Sequence, residues 1–124
     1  MVFYGLRTAI YHVRDLDRAK EWYGTVLGIR PYFDEPFYVG FDVGGFELGL
    51  QPDEPGSSRA STGVIAYWGV DDAEAAFDRF LELGAIEHGG VQDVGDDIRV
   101  ASVFDPYGNV FGVIENPHFS LENR

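Results

Sequence analysis

One pattern occurs twice in this chain of 124 residues. The segment VRDLDRAKEWYGTVLG, which begins at Val13, shares its order of residue types with VDDAEAAFDRFLELG, which begins at Val70. These segments lie 57 residues apart. A second pair, Phe46 and Pro52, recurs 65 residues later as Phe111 and Pro117. A repeat of this length indicates that one folding unit was duplicated.

Each copy predicts the order strand, helix, strand, strand, strand, and therefore an α+β protein. An aspartate precedes each helix as an N-cap (Asp15 and Asp72), and a glycine follows it (Gly28 and Gly84). The predicted strands are 6–13, 30–33, 37–43 and 46–51, then 64–70, 86–92, 98–104 and 110–115, with the second helix over 72–83. We expect one domain, residues 1–124, with repeats at about 6–52 and 63–117 joined by the Pro/Gly/Ser-rich segment PDEPGSSRAST.

Charge and composition exclude several classes of partner. The net charge is −12 and the sequence pI is about 4.4, so the surface repels nucleic acid and anionic lipid. No cysteine is present, which excludes disulfides and thiolate chemistry. No apolar run is long enough to span a bilayer and no secretion signal is recognisable, so the cytoplasm is the default expectation.

Two motifs give the chain a family resemblance. The helix entry in VRDLDRAKEWYGTVLG, together with LELGA and FDPYGNVFGVIE in the second copy, resembles the vicinal oxygen chelate superfamily. That superfamily includes glyoxalase I, bleomycin-resistance proteins, extradiol dioxygenases and fosfomycin-resistance enzymes. The resemblance implies that the two βαβββ units form a curled mixed sheet around a cleft, and that the protein is a homodimer.

The resemblance also implies four positions at which many family members hold a divalent metal. Matching on the two motifs places them at Thr8, Glu47, Ile65 and Gly112. Only Glu47 has a side chain that binds a divalent ion well. We therefore expect neither a metal nor another cofactor.

Other candidates for ligand contact come from strand alternation. His12 lies on the same predicted strand face as Thr8, and Tyr67 on that of Ile65. Arg99 either pairs with a carboxylate in the cleft or with its neighbours Asp96 and Asp97. The predicted ligand-binding residues are Thr8, His12, Glu47, Ile65, Tyr67, Arg99 and Gly112.

Residues outside this set are expected to have structural roles. His88 is expected in a loop, and the glycines form no phosphate-binding loop. No serine or threonine has a histidine and an acid in a recognisable nucleophile context.

The missing metal ligands favour a metal-free, bleomycin-resistance-like protein that binds a small organic molecule. The acidic charge favours a cationic or neutral ligand over an anionic one. The alternative is a metal-dependent lyase, isomerase or dioxygenase of the same superfamily whose displaced site uses His12 and Glu47. A third possibility is a noncatalytic member of an assembly, which a filled cleft would favour.

Overall fold

The computed structural model describes residues 2, 4, 6–53 and 65–118, so the predicted linker lies largely outside the described residues. The chain divides into two units, residues 1–60 and 61–124. Each unit has one four-stranded sheet and one helix. The elements are β1 (Thr8–Val13), α1 (Leu16–Leu27), β2 (Phe33–Glu35), β3 (Tyr38–Val43), β4 (Phe46–Pro52), β5 (Tyr67–Gly69), α2 (Ala73–Glu82), β6 (Ile86–Gly95), β7 (Ile98–Phe104) and β8 (Val110–Glu115).

The sheet of unit 1 has the strand order β1-β4-β3-β2. β1 runs parallel to β4, whereas the other neighbours are antiparallel. One face of the sheet packs against α1, and there Ala19, Tyr23, Phe41, Leu48 and Leu50 have no exposed surface. Because side chains alternate along a strand, the intervening residues lie on the opposite side, which we call the open face.

The sheet of unit 2 repeats this topology in the order β5-β8-β7-β6. β5 is parallel to β8, and α2 packs on β6, β7 and β8. The apolar side of this unit includes Phe77 and Phe80 from the helix and Val103, Phe111 and Val113 from the sheet. The duplicated βαβββ order predicted from the sequence is confirmed.

Both helices begin where their aspartates predict. Asp15 accepts a hydrogen bond from the Arg18 N–H and Asp72 one from the Ala75 N–H, each satisfying a donor that the first helical turn leaves unpaired. Glu115 adds a second acceptor for α2, since its Oε1 lies 3.0 Å from the Ala73 nitrogen. The duplicated aspartates are therefore structural.

The DPYGN segment is a compact turn between β7 and β8. Asp105 is buried, and its carboxylate accepts hydrogen bonds from the backbone N–H groups of Tyr107 and Asn109 and from the Asn109 side chain. Gly108 has a φ of 88°, a conformation that favours glycine. The most specific motif of the second copy thus closes a hairpin.

Several predicted strand bounds were wrong. Residues 30–32 lie outside β2, where Pro31 has no N–H to donate to a ladder, and β1 begins at Thr8 rather than at residue 6. Ile65 precedes β5 and is not part of that strand. β6 ends at Gly95, three residues beyond the predicted bound, and His88, which was expected in a loop, lies within the strand. Among the described residues, neither helix combines the length and the apolar composition needed to cross a membrane.

Candidate functional site

The open face of unit 1 carries a carboxylate held by two tyrosines. The Tyr32 hydroxyl donates a hydrogen bond to Oε1 of Glu47, and the Tyr38 hydroxyl donates one to Oε2. Glu47 is half-buried, and none of the ion pairs between described residues involves it. We call these three residues the Glu47 cluster. Its negative charge is therefore stabilised by phenol donors rather than by a cation.

Two glycines form the floor beneath this cluster. A Cβ atom on Gly49 would lie 2.6 Å from Cζ of Tyr38, and one on Gly40 would lie 3.3 Å from Cε1 of Tyr32. The rings therefore lie directly on the backbone of β3 and β4, and a larger side chain at Gly49 would displace the ring of Tyr38. Burial raises the pKa of the Tyr38 phenol above its ordinary value of 10.0, so this group is a proton donor at neutral pH.

Two phenylalanines extend the aromatic rings of the cluster on the same face. Phe33 pairs in register with Gly40 on the open face, and its ring lies 6.0 Å from that of Tyr38 and 6.2 Å from that of Phe37. Tyr32 is 64% exposed and Phe37 is 65% exposed. We call Tyr32, Phe33, Phe37 and Tyr38 the aromatic surface. Apolar rings thus remain open to solvent beside a carboxylate.

Thr8 and His12 lie on the open face, as predicted, but at different distances from Glu47. Thr8 is the register partner of Glu47, whereas His12 pairs with Gln51. His12 lies four positions beyond Thr8 along β1, a distance of roughly 13 Å. The structure therefore does not bring His12 and Glu47 to one point.

The registers of the two sheets correct the matching of Glu47 with Gly112. Thr8 pairs with Glu47 and Ile10 with Gly49, while Tyr67, which the repeat matches to Ile10, pairs with Gly112. The counterpart of Gly112 is thus Gly49. The match through Phe46 and Phe111 was misleading because two residues separate β3 from β4, whereas five separate β7 from β8.

With this register, the four family metal positions hold Thr8, Gly49, Ile65 and Gly112. No side chain among them is a good ligand for a divalent ion. Across the residues that the structure describes, no group of three or more histidine or acidic side chains is placed to hold one. These residues therefore do not fit the metal of the family.

In unit 2, too, a tyrosine ring packs directly against a glycine. A Cβ on Gly112 would lie 2.7 Å from Cδ1 of Tyr67 and 2.9 Å from the Ala66 carbonyl oxygen. Tyr67 is 44% exposed and lines a shallow groove together with Gly69, Val70, Asp71, Ile114 and Asn116. Tyr67 and Gly112 thus share one surface.

A polar pair that the sequence did not indicate lies farther along this face. Nδ1 of His88 is 2.8 Å from Oγ of Ser102, which is buried between Gly89 on β6 and Gly112 on β8. Only the pairing of β6 with β7 brings these two residues together, since they are 14 positions apart in the chain. No simple spacing rule would have found the pair.

Arg99 does not join this surface. It lies on the same strand face as Ala101 and Val103, both buried on the α2 side of the sheet. Its register partners are Asp93 and Glu115. An arginine at this position extends from the helix side, away from Tyr67 and Gly112. Arg99 therefore lies apart from the candidate ligand surface of the described residues.

The sequence matches one family model, described as the Glyoxalase/Bleomycin resistance protein/Dioxygenase superfamily, over residues 5–113. The chain belongs to this superfamily. The resemblance in the two motifs is therefore confirmed. No curated protein matches the chain.

Several solved structures have the same fold as this chain. A glyoxalase-related enzyme from Fulvimarina pelagi has a TM-score of 0.74 at 18% identity, covering 93% of this chain and 90% of that one. The fosfomycin resistance protein FosX from Mesorhizobium loti has a TM-score of 0.67 at 21% identity, with coverages of 99% and 98%. TioX from Micromonospora sp. ML1 has a TM-score of 0.67 at 22% identity, with coverages of 89% and 97%. At these identities the likeness concerns the fold alone.

Proposed function

We propose that this superfamily member binds a small organic cation without a metal, on the open face of unit 1. The observation that carries the proposal is the Glu47 carboxylate, held by Tyr32 and Tyr38 beside exposed aromatic rings and without a cationic partner among the described residues. A half-buried charge without a counterion favours a ligand that supplies one. The net charge of −12 raises the local concentration of cations further.

A metal-dependent reaction is the less favoured function. It requires several ligands to converge, and His12 lies roughly 13 Å along β1 from the position that pairs with Glu47. The residues at the family metal positions supply no replacement. The name of the fosfomycin resistance neighbour suggests a role in drug resistance, which this proposal accommodates as sequestration of a cationic compound.

The test combines elemental analysis of the purified protein with a thermal-shift screen of organic cations and divalent metals. We expect organic cations to raise the melting temperature in proportion to the logarithm of their concentration. Divalent metals should have no such effect. One metal ion per chain, with stabilisation that follows metal concentration, would refute the proposal.

Matched variants localise the effect to the cluster. Glu47→Gln removes the charge and keeps the side-chain shape, and we expect it to abolish most of the stabilisation by cations. Asp34→Asn is the control, because Asp34 pairs with Lys20 at 3.1 Å on the helix side of unit 1 and lies outside the cluster. The homodimer implied by the family remains a prediction, and light scattering of the purified protein measures it.

A further inference from the structure

We propose that the Glu47 cluster and the aromatic surface select a fully alkylated ammonium group over a primary amine. This inference rests on the proposed function and adds the chemical class of the cation. Its basis is that two features lie side by side. The two oxygens of the Glu47 carboxylate already accept hydrogen bonds, and the aromatic rings beside it remain exposed.

The hydrogen bonds within the cluster disfavour a primary ammonium group. Such a group has three N–H donors and is strongly hydrated, so it needs acceptors to replace lost water. Each oxygen of Glu47 already accepts a phenol proton and keeps only one further acceptor position, and Gly40 and Gly49 beneath the rings add no side-chain acceptor. A donor left unsatisfied in a desolvated site weakens binding.

The aromatic surface favours an alkylated ammonium group for the complementary reason. Its methyl groups carry the positive charge and have no donors to satisfy, so they can pack on ring faces. Tyr32 and Phe37 are both mostly exposed, and Tyr38 is oriented by its bond to Glu47. The rings supply contact area and the carboxylate supplies the opposite charge.

Asp42 strengthens the electrostatic part of this argument. It is the register partner of Glu47 across β3 and β4, so its carboxylate lies on the same row of the open face. Its Oδ1 accepts a hydrogen bond from the Gly45 N–H in the adjacent turn. Two acidic residues therefore lie side by side. Because Asp42 is exposed and bonded to the turn, it adds to the attraction for any positive charge, and the choice between ammonium types rests on Glu47 and the rings.

Three probes with the same hydroxyethyl group separate charge from hydrogen bonding. Choline has a trimethylammonium group, ethanolamine has a primary ammonium group, and 3,3-dimethylbutan-1-ol replaces the nitrogen of choline with carbon. Calorimetric titration of the full chain should give choline the highest affinity, by about tenfold over both other probes. Equal or tighter binding of ethanolamine or of the neutral alcohol would overturn the inference.

Variants then assign the binding to these residues. We expect Glu47→Gln and Tyr32→Leu each to weaken choline binding by about tenfold, while Asp34→Asn leaves it unchanged. Circular dichroism and melting temperature confirm that each variant is folded. If Asp34→Asn weakens binding as much as Glu47→Gln, net charge rather than the cluster explains the affinity, and the inference fails.

The remaining outcomes distinguish the inference from the proposed function. Binding of primary amines but not of choline refutes the inference and leaves a cation-binding protein. Loss of choline binding as the chain self-associates at higher concentration means that a second copy covers the surface, which also refutes it. If no organic cation in the screen binds, both the inference and the proposed function fail.

Discussion

The ring of Tyr38 lies directly on the backbone at Gly49, so that a Cβ atom on Gly49 would approach Cζ of Tyr38 to 2.6 Å. This contact places the Tyr38 hydroxyl at the carboxylate of Glu47, two residues earlier on the same strand. The glycine is therefore part of the candidate site, although it has no side chain. It determines where the phenol that orients Glu47 can lie.

Gly49→Ala should destabilise the protein and disturb the cluster. The new methyl group cannot coexist with the Tyr38 ring in its present position, so the ring must move away from Glu47, and overpacking of this kind costs about 1–3 kcal/mol. Gly40→Ala is the matched comparison, because its Cβ would meet only side-chain atoms of Glu47 and Tyr32 at 3.2 and 3.3 Å, which can shift slightly. Urea denaturation should rank Gly49→Ala as clearly the less stable variant. Equal stabilities would contradict the close packing of Tyr38.

The two phenol hydrogen bonds should contribute unequally to stability. Tyr38 is half-buried whereas Tyr32 is 64% exposed, so water replaces the bond of Tyr32 more easily. We expect Tyr38→Phe to lower the free energy of unfolding by about 1–2 kcal/mol and Tyr32→Phe by less. Chemical denaturation of both variants and of the double variant measures this difference. A larger loss for Tyr32→Phe would show that Tyr32, and not Tyr38, is the main partner of Glu47.

Alkaline pH should destabilise the protein partly through Tyr38. Burial raises the pKa of this phenol above 10.0 in the folded state, so the folded chain retains its proton more strongly than the unfolded chain. Stability is thus retained below about pH 10 and decreases as pH rises towards the pKa of the folded state. The Tyr38→Phe variant, which has no such proton, should lose less stability between pH 9 and about pH 11. Melting temperatures at several pH values test this, and identical slopes for both proteins would refute it.

The sequence was sufficient to predict the fold because its signals are local. The aspartate caps, the glycines after the helices and the DPYGN turn each act over a few residues, and the structure places them as expected. The family resemblance depends on the same segments. Strands β7 and β8 have the predicted bounds for this reason.

The candidate site was less predictable because it depends on strand register. Glu47 was identified through a match with Gly112 that the register does not support, since Gly49 is the true counterpart. The partnership of Glu47 with Tyr32 and the pair of His88 with Ser102 join residues 15 and 14 positions apart. Such contacts follow from how strands align, and side-chain alternation alone does not give that alignment.

The second tyrosine–glycine contact gives the last prediction. Gly112→Ala places a methyl group against both the Tyr67 ring and the Ala66 carbonyl oxygen, at 2.7 and 2.9 Å. Because one of these neighbours is backbone, the strain cannot be relieved by rotating Tyr67 alone, and we expect a loss of about 1–3 kcal/mol.

Gly69→Ala is the control within the same unit, since its Cβ would meet nothing within 4 Å. It should leave stability unchanged or raise it by up to about 1 kcal/mol, because alanine reduces the conformational freedom of the unfolded chain. Thermal and urea denaturation of the two variants compare their stabilities. A Gly112→Ala protein as stable as Gly69→Ala would mean that β5 does not lie against β8 as described.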